Sequence, residues 1–202
     1  MYSLVGTKRR CQEAGVAASD TTIIDSGNQR FLEVVRFDRV NACGRRSLLS
    51  LSALDSEFVG LASRAWPDVT RALSAERVIT EEAHASACLL YAYGCLIGNT
   101  DMHHGNLAFL STQGRPYEIA PAFDILPMTF KPGSGGQITN TVQPVPLHSA
   151  LTSTTWRPAL GIAQEFLQRL QNDVRLSSDF MSCLNALEEH LEIMARKIAL
   201  LA

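Results

Sequence analysis

The sequence predicts an α+β chain that is mostly helical, and three observations carry this. Apolar residues recur at helical spacing in long stretches, as Phe180, Leu184, Leu187, Leu191 and Met194 do near the end. Two other places show strand-forming runs that return across a turn, TTIID to RFLEVVRF and NLAFL to PYEIA. The composition, 46% apolar and 19% charged over 202 residues, is that of one sizeable domain with a hydrophobic core.

The elements follow in order. Residues 2–14 form a short helix, and a strand follows at 21–25. SGNQ turns the chain, and RFLEVVRF, residues 30–37, is the returning strand. DRVNACGRRSL is a polar loop, with short helices after it near 52–62 and 67–74. A stronger helix begins at Thr80, with Glu81 and Glu82 in the first turn where the helix dipole favours acids. The run HASACLLYAYGCLI continues it, largely buried, to residue 97. Strands at 107–111 and 116–120 flank STQGR, a hairpin turn. Residues 131–150, including the Gly-rich PGSGGQ, have the composition of a long irregular loop. Two amphipathic helices, 155–172 and 177–200, close the chain. Neither repeats nor a linker divide it, which predicts a single domain over 1–202.

Several function classes are disfavoured at once. A net charge of −2 does not suggest a general binder of nucleic acid or membrane surfaces. No apolar stretch approaches the ~18 residues of a transmembrane helix. MYSLVGTKRR lacks the order of a signal peptide. The five cysteines are scattered and odd in number, which fits reduced, buried thiols in a cytoplasmic protein.

The chemistry concentrates in LIGNTDMHHGNLAFL, residues 96–110. Asn106 lies just before the first strand of the second hairpin, and Asp124 just after its second strand. In an antiparallel hairpin the start of one strand neighbours the end of the other, so residue 106 is expected near 121. Asp124 then lies within about 10 Å, at ~3.3 Å per residue. An amide oxygen and a carboxylate converging this way suit a hard cation such as Mg²⁺. Asp101, five residues before Asn106, supplies a free carboxylate. This is the layout of phosphoryl transfer: one Asp accepts a hydroxyl proton, and an Asn and a later Asp hold metal.

At this point the sequence resembles the HipA-like serine/threonine kinases, toxins of bacterial toxin–antitoxin pairs, and within them the YjjJ-type branch. LIGNTDMHHGNLAFL, YEIAPAFDILPM and FLEVVRFDRV carry the likeness. It implies a protein-kinase-like C-lobe with a hinge hairpin and a catalytic hairpin, residues 1–37 being the remnant of an N-lobe and 38–202 the helical C-lobe. It implies ATP and Mg²⁺ as cofactors and a Ser or Thr of a protein as acceptor. Asp101 resembles the catalytic base, and Asn106 and Asp124 the metal ligands. His103, His104, Gly105 and Asn106 resemble the segment lining the phosphates, and Phe123 the aromatic before the metal Asp. Val35, Arg36 and Phe37 fall on the hinge that holds adenine, with Val35 where the family usually has Glu. The chain begins at what resembles the helix after the phosphate-gripping lysine, since Lys8 belongs to that helix. Most of the N-lobe is therefore expected to be absent, and the partners implied are an antitoxin or the missing lobe.

Other readings stand beside this one. Asp101, Asn106 and Asp124 are also residue types that cap turns. A non-catalytic module that binds a partner through an exposed apolar face is a second reading. A metallohydrolase using DMHH is a third, but adjacent histidines point apart and chelate one ion poorly. His84 reads as a hydrogen-bonded core or edge histidine, His148 and His190 as surface or loop residues. Cys88 and Cys95 read as core filling, Trp66 and Trp156 as packing anchors, and CGRRS as a solvated loop.

Overall fold

The structure, a computed structural model, describes residues 16–201, so the helix expected at 2–14 lies outside it. The chain forms two compact units. The first holds the chain up to Ala87 together with His103–Ile125, and the second holds Cys88–Met102 with Leu126 onward.

In the first unit, β1 (Thr21–Ser26) and β2 (Gln29–Val34) form an antiparallel hairpin with Thr21 opposite Val34 and Ser26 opposite Gln29. β2 ends at Val34, short of the expected residue 37. The Val35 N–H still closes on the Asp20 carbonyl at 2.8 Å in the hairpin's register, and the Arg39 N–H then turns back to the Arg36 carbonyl at 3.3 Å, which takes the chain out of the ladder. The expected polar loop contains a minimal hairpin of β3 (Arg39–Val40) and β4 (Gly44–Arg45). β5 (Ser47–Ser50) was not expected. It pairs antiparallel with β6 (Ala108–Ser111), which also pairs with β7 (Glu118–Ile119), giving a three-stranded sheet.

α1 (Leu51–Phe58) starts directly after β5, with the Ser50 hydroxyl accepting the Ala53 N–H at 3.1 Å as an N-cap. It stops short of residue 62 because the Asp55 carbonyl captures the N–H groups of Val59 and Gly60, at 3.1 and 2.7 Å. α2 (Trp66–Ala75) carries Pro67 in its first turn, where a missing N–H costs nothing, and buries Trp66, Val69, Thr70 and Leu73. The Thr70 hydroxyl lies 2.8 Å from His84 Nδ1, so His84 is the hydrogen-bonded histidine expected.

α3 (Glu81–Leu96) begins with Thr80 capping the Ala83 N–H at 3.0 Å. Its part up to Ala87 belongs to the first unit and the remainder to the second. In the second unit α4 (Ser153–Gln171) and α5 (Met181–Ala199) pack against each other. Their buried faces include Trp156, Ile162, Phe166 and Leu170 on α4, and Leu184, Leu187, Leu191 and Met194 on α5. Tyr93 meets Phe166 edge-on with centroids 6.3 Å apart, and Phe130 meets Phe180 likewise at 5.8 Å. The last helix was expected from 177, but residues 178–180 form a 3₁₀ turn before it. Residues 131–150 carry no regular structure, as expected.

The tryptophans are both buried, as are Cys88, Cys95 and Cys183, while Cys43 is exposed. One expectation is corrected: His190 is not at the surface but buried, 4% exposed. It lies on the apolar stripe of α5, three residues after Leu187 and four before Met194. Burial pushes its pKa below the ordinary histidine value. His148 is half-buried with its ring edge-on to Tyr91 at 5.6 Å. Among the described residues no helix is long and apolar enough to cross a membrane.

Candidate functional site

In the first unit the candidate segment is a single 3₁₀ turn, His104–Asn106, held just ahead of β6. His103 caps it: its Nδ1 accepts the Gly105 N–H and its carbonyl the Asn106 N–H, each at 3.0 Å. The same carbonyl accepts the Trp66 Nε1–H at 3.3 Å. His104 turns its ring inward, with Nε2 2.8 Å from the Arg64 carbonyl and Nδ1 3.7 Å from a carboxylate oxygen of Asp55. Asn106 is buried at 9% exposure, and Leu107 accepts the Leu51 N–H at 2.8 Å.

The hairpin then sets where Asp124 emerges. Phe109 faces Ile119, and the Ala120 N–H bonds the Ala108 carbonyl at 2.9 Å. Continuing that register puts Asn106 level with Ala122, one residue beyond the expected 121 and two before Asp124. Ala122 is itself fixed by a parallel bridge to Ala18, with the Ser19 N–H on its carbonyl at 3.0 Å. Asn106 and Asp124 thus leave the same end of one hairpin. Asp124 is exposed and holds a left-handed φ of +54°, and among the described residues nothing bonds its carboxylate. A side chain other than glycine costs about 1–3 kcal/mol in that conformation, and such residues cluster at functional sites.

The preceding Phe123 packs its ring on Phe37, centroids 6.1 Å apart, over Ala108, Leu110 and Ala120. Phe37 is thereby tied to the end of the hairpin from which Asp124 emerges. Val35 is exposed. Arg36 grips the buried Asp38 with two bonds, of 2.7 and 2.6 Å, and this hydrogen-bonded pairing holds the Asp38 carboxyl below its ordinary pKa.

Asp101 lies in the second unit, where its surroundings are built by α3 and the turn after it. Asn99, buried, accepts the Asp101 N–H on its side-chain oxygen at 2.9 Å. Its own N–H returns to the Gly94 carbonyl at 2.8 Å. The Met102 thioether lies against Gly94 where a Cβ would be. Asp101 itself is exposed. Sequence reasoning overlooked Asn99, Gly94, Asp55 and the Trp66 bond. Only the buried run LLYAYGCLIGN hinted at the first two.

The donor set fits Mg²⁺ in kind: an amide oxygen and an exposed carboxylate are hard ligands of the type that ion takes. Among the described residues no group of three or more His, Cys, Asp or Glu could hold a metal ion. The ring nitrogens His103 Nδ1 and His104 Nε2 are engaged by the protein's own backbone, which disfavours the DMHH hydrolase reading.

Comparison with known proteins agrees with this architecture. The chain is 31% identical over 189 residues to the toxin YjjJ of Escherichia coli strain K12, covering 93% of this chain and 42% of that protein. It therefore spans less than half the length of that relative. A chain of the Shewanella oneidensis MR-1 toxin–antitoxin complex of HipA, HipB and operator DNA superimposes with a TM-score of 0.63 at 13% identity, over 97% of this chain and 56% of that one. The Helicobacter pylori proinflammatory kinase CtkA superimposes with a TM-score of 0.55 at 14% identity, over 95% and 81%. The fold is accordingly kinase-like. The profile of the HipA-like C-terminal domain matches residues 7–196, and the chain belongs to that family.

Proposed function

We propose that this chain carries the catalytic part of an ATP- and Mg²⁺-dependent kinase that phosphorylates Ser or Thr of a protein. The observation that supports it most is the common origin of Asn106 and Asp124 at one hairpin end, with Asp124 held exposed at φ +54°. In this reading Asp101 accepts the proton of the attacking hydroxyl. Asn106 and Asp124 hold Mg²⁺, which when bound neutralises phosphate charge. His103, His104 and Gly105 line the phosphates through the turn they form. Val35, Arg36 and Phe37 meet adenine, with Phe37 braced by Phe123. Positioning and charge neutralisation are most of what this chemistry asks of a protein.

Isothermal titration tests the reading, on this chain and on a longer one spanning the full length of its relatives. Mg²⁺-dependent ATP binding is expected, and its loss in Asp124→Asn. Absence of metal-dependent binding in both chains would overturn it.

A second reading has its own observation. Ile24 and Phe31 form an exposed cross-strand pair on one face of the β1–β2 hairpin, and Val35, at even spacing from Phe31 just past β2, is exposed too. Exposed apolar residues grouped this way mark association. The chain would then act as a binding module for an antitoxin or for another lobe. A monomer by scattering that binds no apolar dye would rule this out.

A further inference from the structure

We infer that Asn99 is a positioning residue for Asp101, fixing the backbone from which that carboxylate projects. The inference rests on the proposed role of Asp101 as proton acceptor. α3 ends in two nested backbone bonds. The Gly98 N–H returns to the Cys95 carbonyl at 3.3 Å, and the Asn99 N–H to the Gly94 carbonyl at 2.8 Å, with Gly98 left-handed at φ +73°. In this kind of helix end the residue after the glycine is frequently apolar and packs on the last turn. Here that place holds Asn99, which is only 6% exposed. A polar side chain buried there is costly unless it is bonded. Its bond goes forward along the chain: Asn99 Oδ1 accepts the Asp101 N–H at 2.9 Å.

The residue after Asp101 is anchored to the same turn of α3. The Met102 thioether fills the space where Gly94 would carry a Cβ, and Asn99 Cβ lies 3.7 Å from that position. Asp101 is thus held from both sides, by Asn99 through its own N–H and by Gly94 through Met102, while its side chain stays exposed. All of these residues belong to the second unit. Ending the helix needs only the backbone of Asn99, so its buried side-chain oxygen serves the segment that follows. A misplacement of about 1 Å in a reacting group can cost ~100-fold in rate.

Asn99→Leu tests this, because it keeps the branched shape of the side chain and removes its oxygen. Amide hydrogen exchange at Asp101 is expected to accelerate at least ~10-fold, while the amides at positions 98 and 99, bonded to the α3 backbone, keep their protection. The urea midpoint should not fall, since this helix end accepts an apolar residue there. This arm needs no ligand, so it stands even if the kinase reading fails. The second arm uses the longer chain spanning the full length of its relatives, with ATP and Mg²⁺, and follows γ-phosphate passed to the chain itself or to water. There kcat should drop ~10-fold or more with KM for ATP unchanged, the mark of a group that acts in the transition state rather than in nucleotide binding. Unchanged exchange at Asp101, protection lost equally at positions 98 and 99, or an unchanged kcat in a variant of an active parent would overturn the inference. If Asn99→Leu does not fold, Asn99→Ala decides it by the same readouts. A parent chain that turns over no ATP would sink the kinase reading and leave the exchange result to judge the positioning.

Discussion

Gly98→Ala is the most informative single substitution in the turn that presents Asp101. Gly98 sits at φ +73°, and a Cβ built on it would lie 2.8 Å from Thr129 Cγ2 and 3.2 Å from Val142 Cγ1. Two costs therefore add. The left-handed backbone costs an L-residue about 1–2 kcal/mol. Forcing a methyl into a filled space costs about 1–3 kcal/mol more. The Gly98 carbonyl also accepts the Thr129 N–H at 2.9 Å, so the neighbour it would strike is bonded in place. Gly60 supplies the control. Its φ is +71°, nearly the same, but nothing lies within 4 Å of its Cβ position. Gly60→Ala should lose only the backbone part. Urea unfolding followed by tryptophan fluorescence measures both, because Trp66 lies in the first unit and Trp156 in the second. With a slope of ~1–3 kcal/mol per molar urea, Gly98→Ala should lower the Trp156 midpoint by roughly 1 M or more. A loss no larger than that of Gly60→Ala would refute the packing argument.

Three further outcomes follow from the geometry. Burial lowers the His190 pKa, so the fold prefers the neutral ring. Its stability contribution is complete above the unfolded value of ~6.5 and is lost as pH falls through the lower folded value. Urea midpoints against pH should therefore fall below ~6.5 in the parent and fall less in His190→Leu. A double-mutant cycle of Phe37→Leu and Phe123→Leu should show a coupling of about 0.5–1.5 kcal/mol in unfolding free energy, and a coupling near zero would mean the rings do not brace each other. Trp66→Phe removes the N–H to the His103 carbonyl, and exchange at Asn106, which shares that carbonyl, should change while amides of α4 and α5 do not.

Parts of this fold are legible in the sequence because the forces are local. The β6–β7 hairpin announces itself by two apolar runs around a turn, and its geometry delivers Asn106 and Asp124 to one end. Thr80 and the two glutamates after it mark the start of α3. The parts that were not legible depend on distant partners. SLLS has no alternation and becomes β5 only because β6 offers an edge to it. α1 stops early because one carbonyl captures two N–H groups, which no propensity records. Asp55 looks like a polar position on a helix. Its burial makes sense only once His104 and the loop at Leu61 are in place. His190 was misread for a simpler reason: its residue type suggested the surface, while its position on the α5 stripe already pointed inward.

The β6–β7 hairpin has one more consequence, for how such a site tolerates change over time. Asn106 and Asp124 belong to its open end, and residues 112–114 belong to the connecting end, which is exposed. Insertions at Thr112–Gly114 lengthen only that connection, so loop length there is free to drift between relatives, and a reporter peptide placed there would leave the open end in register. A single deletion inside either strand is different, because it turns every following side chain to the opposite face. The two strands thus work as a ruler that is read from one end only, which confines evolutionary freedom to the other.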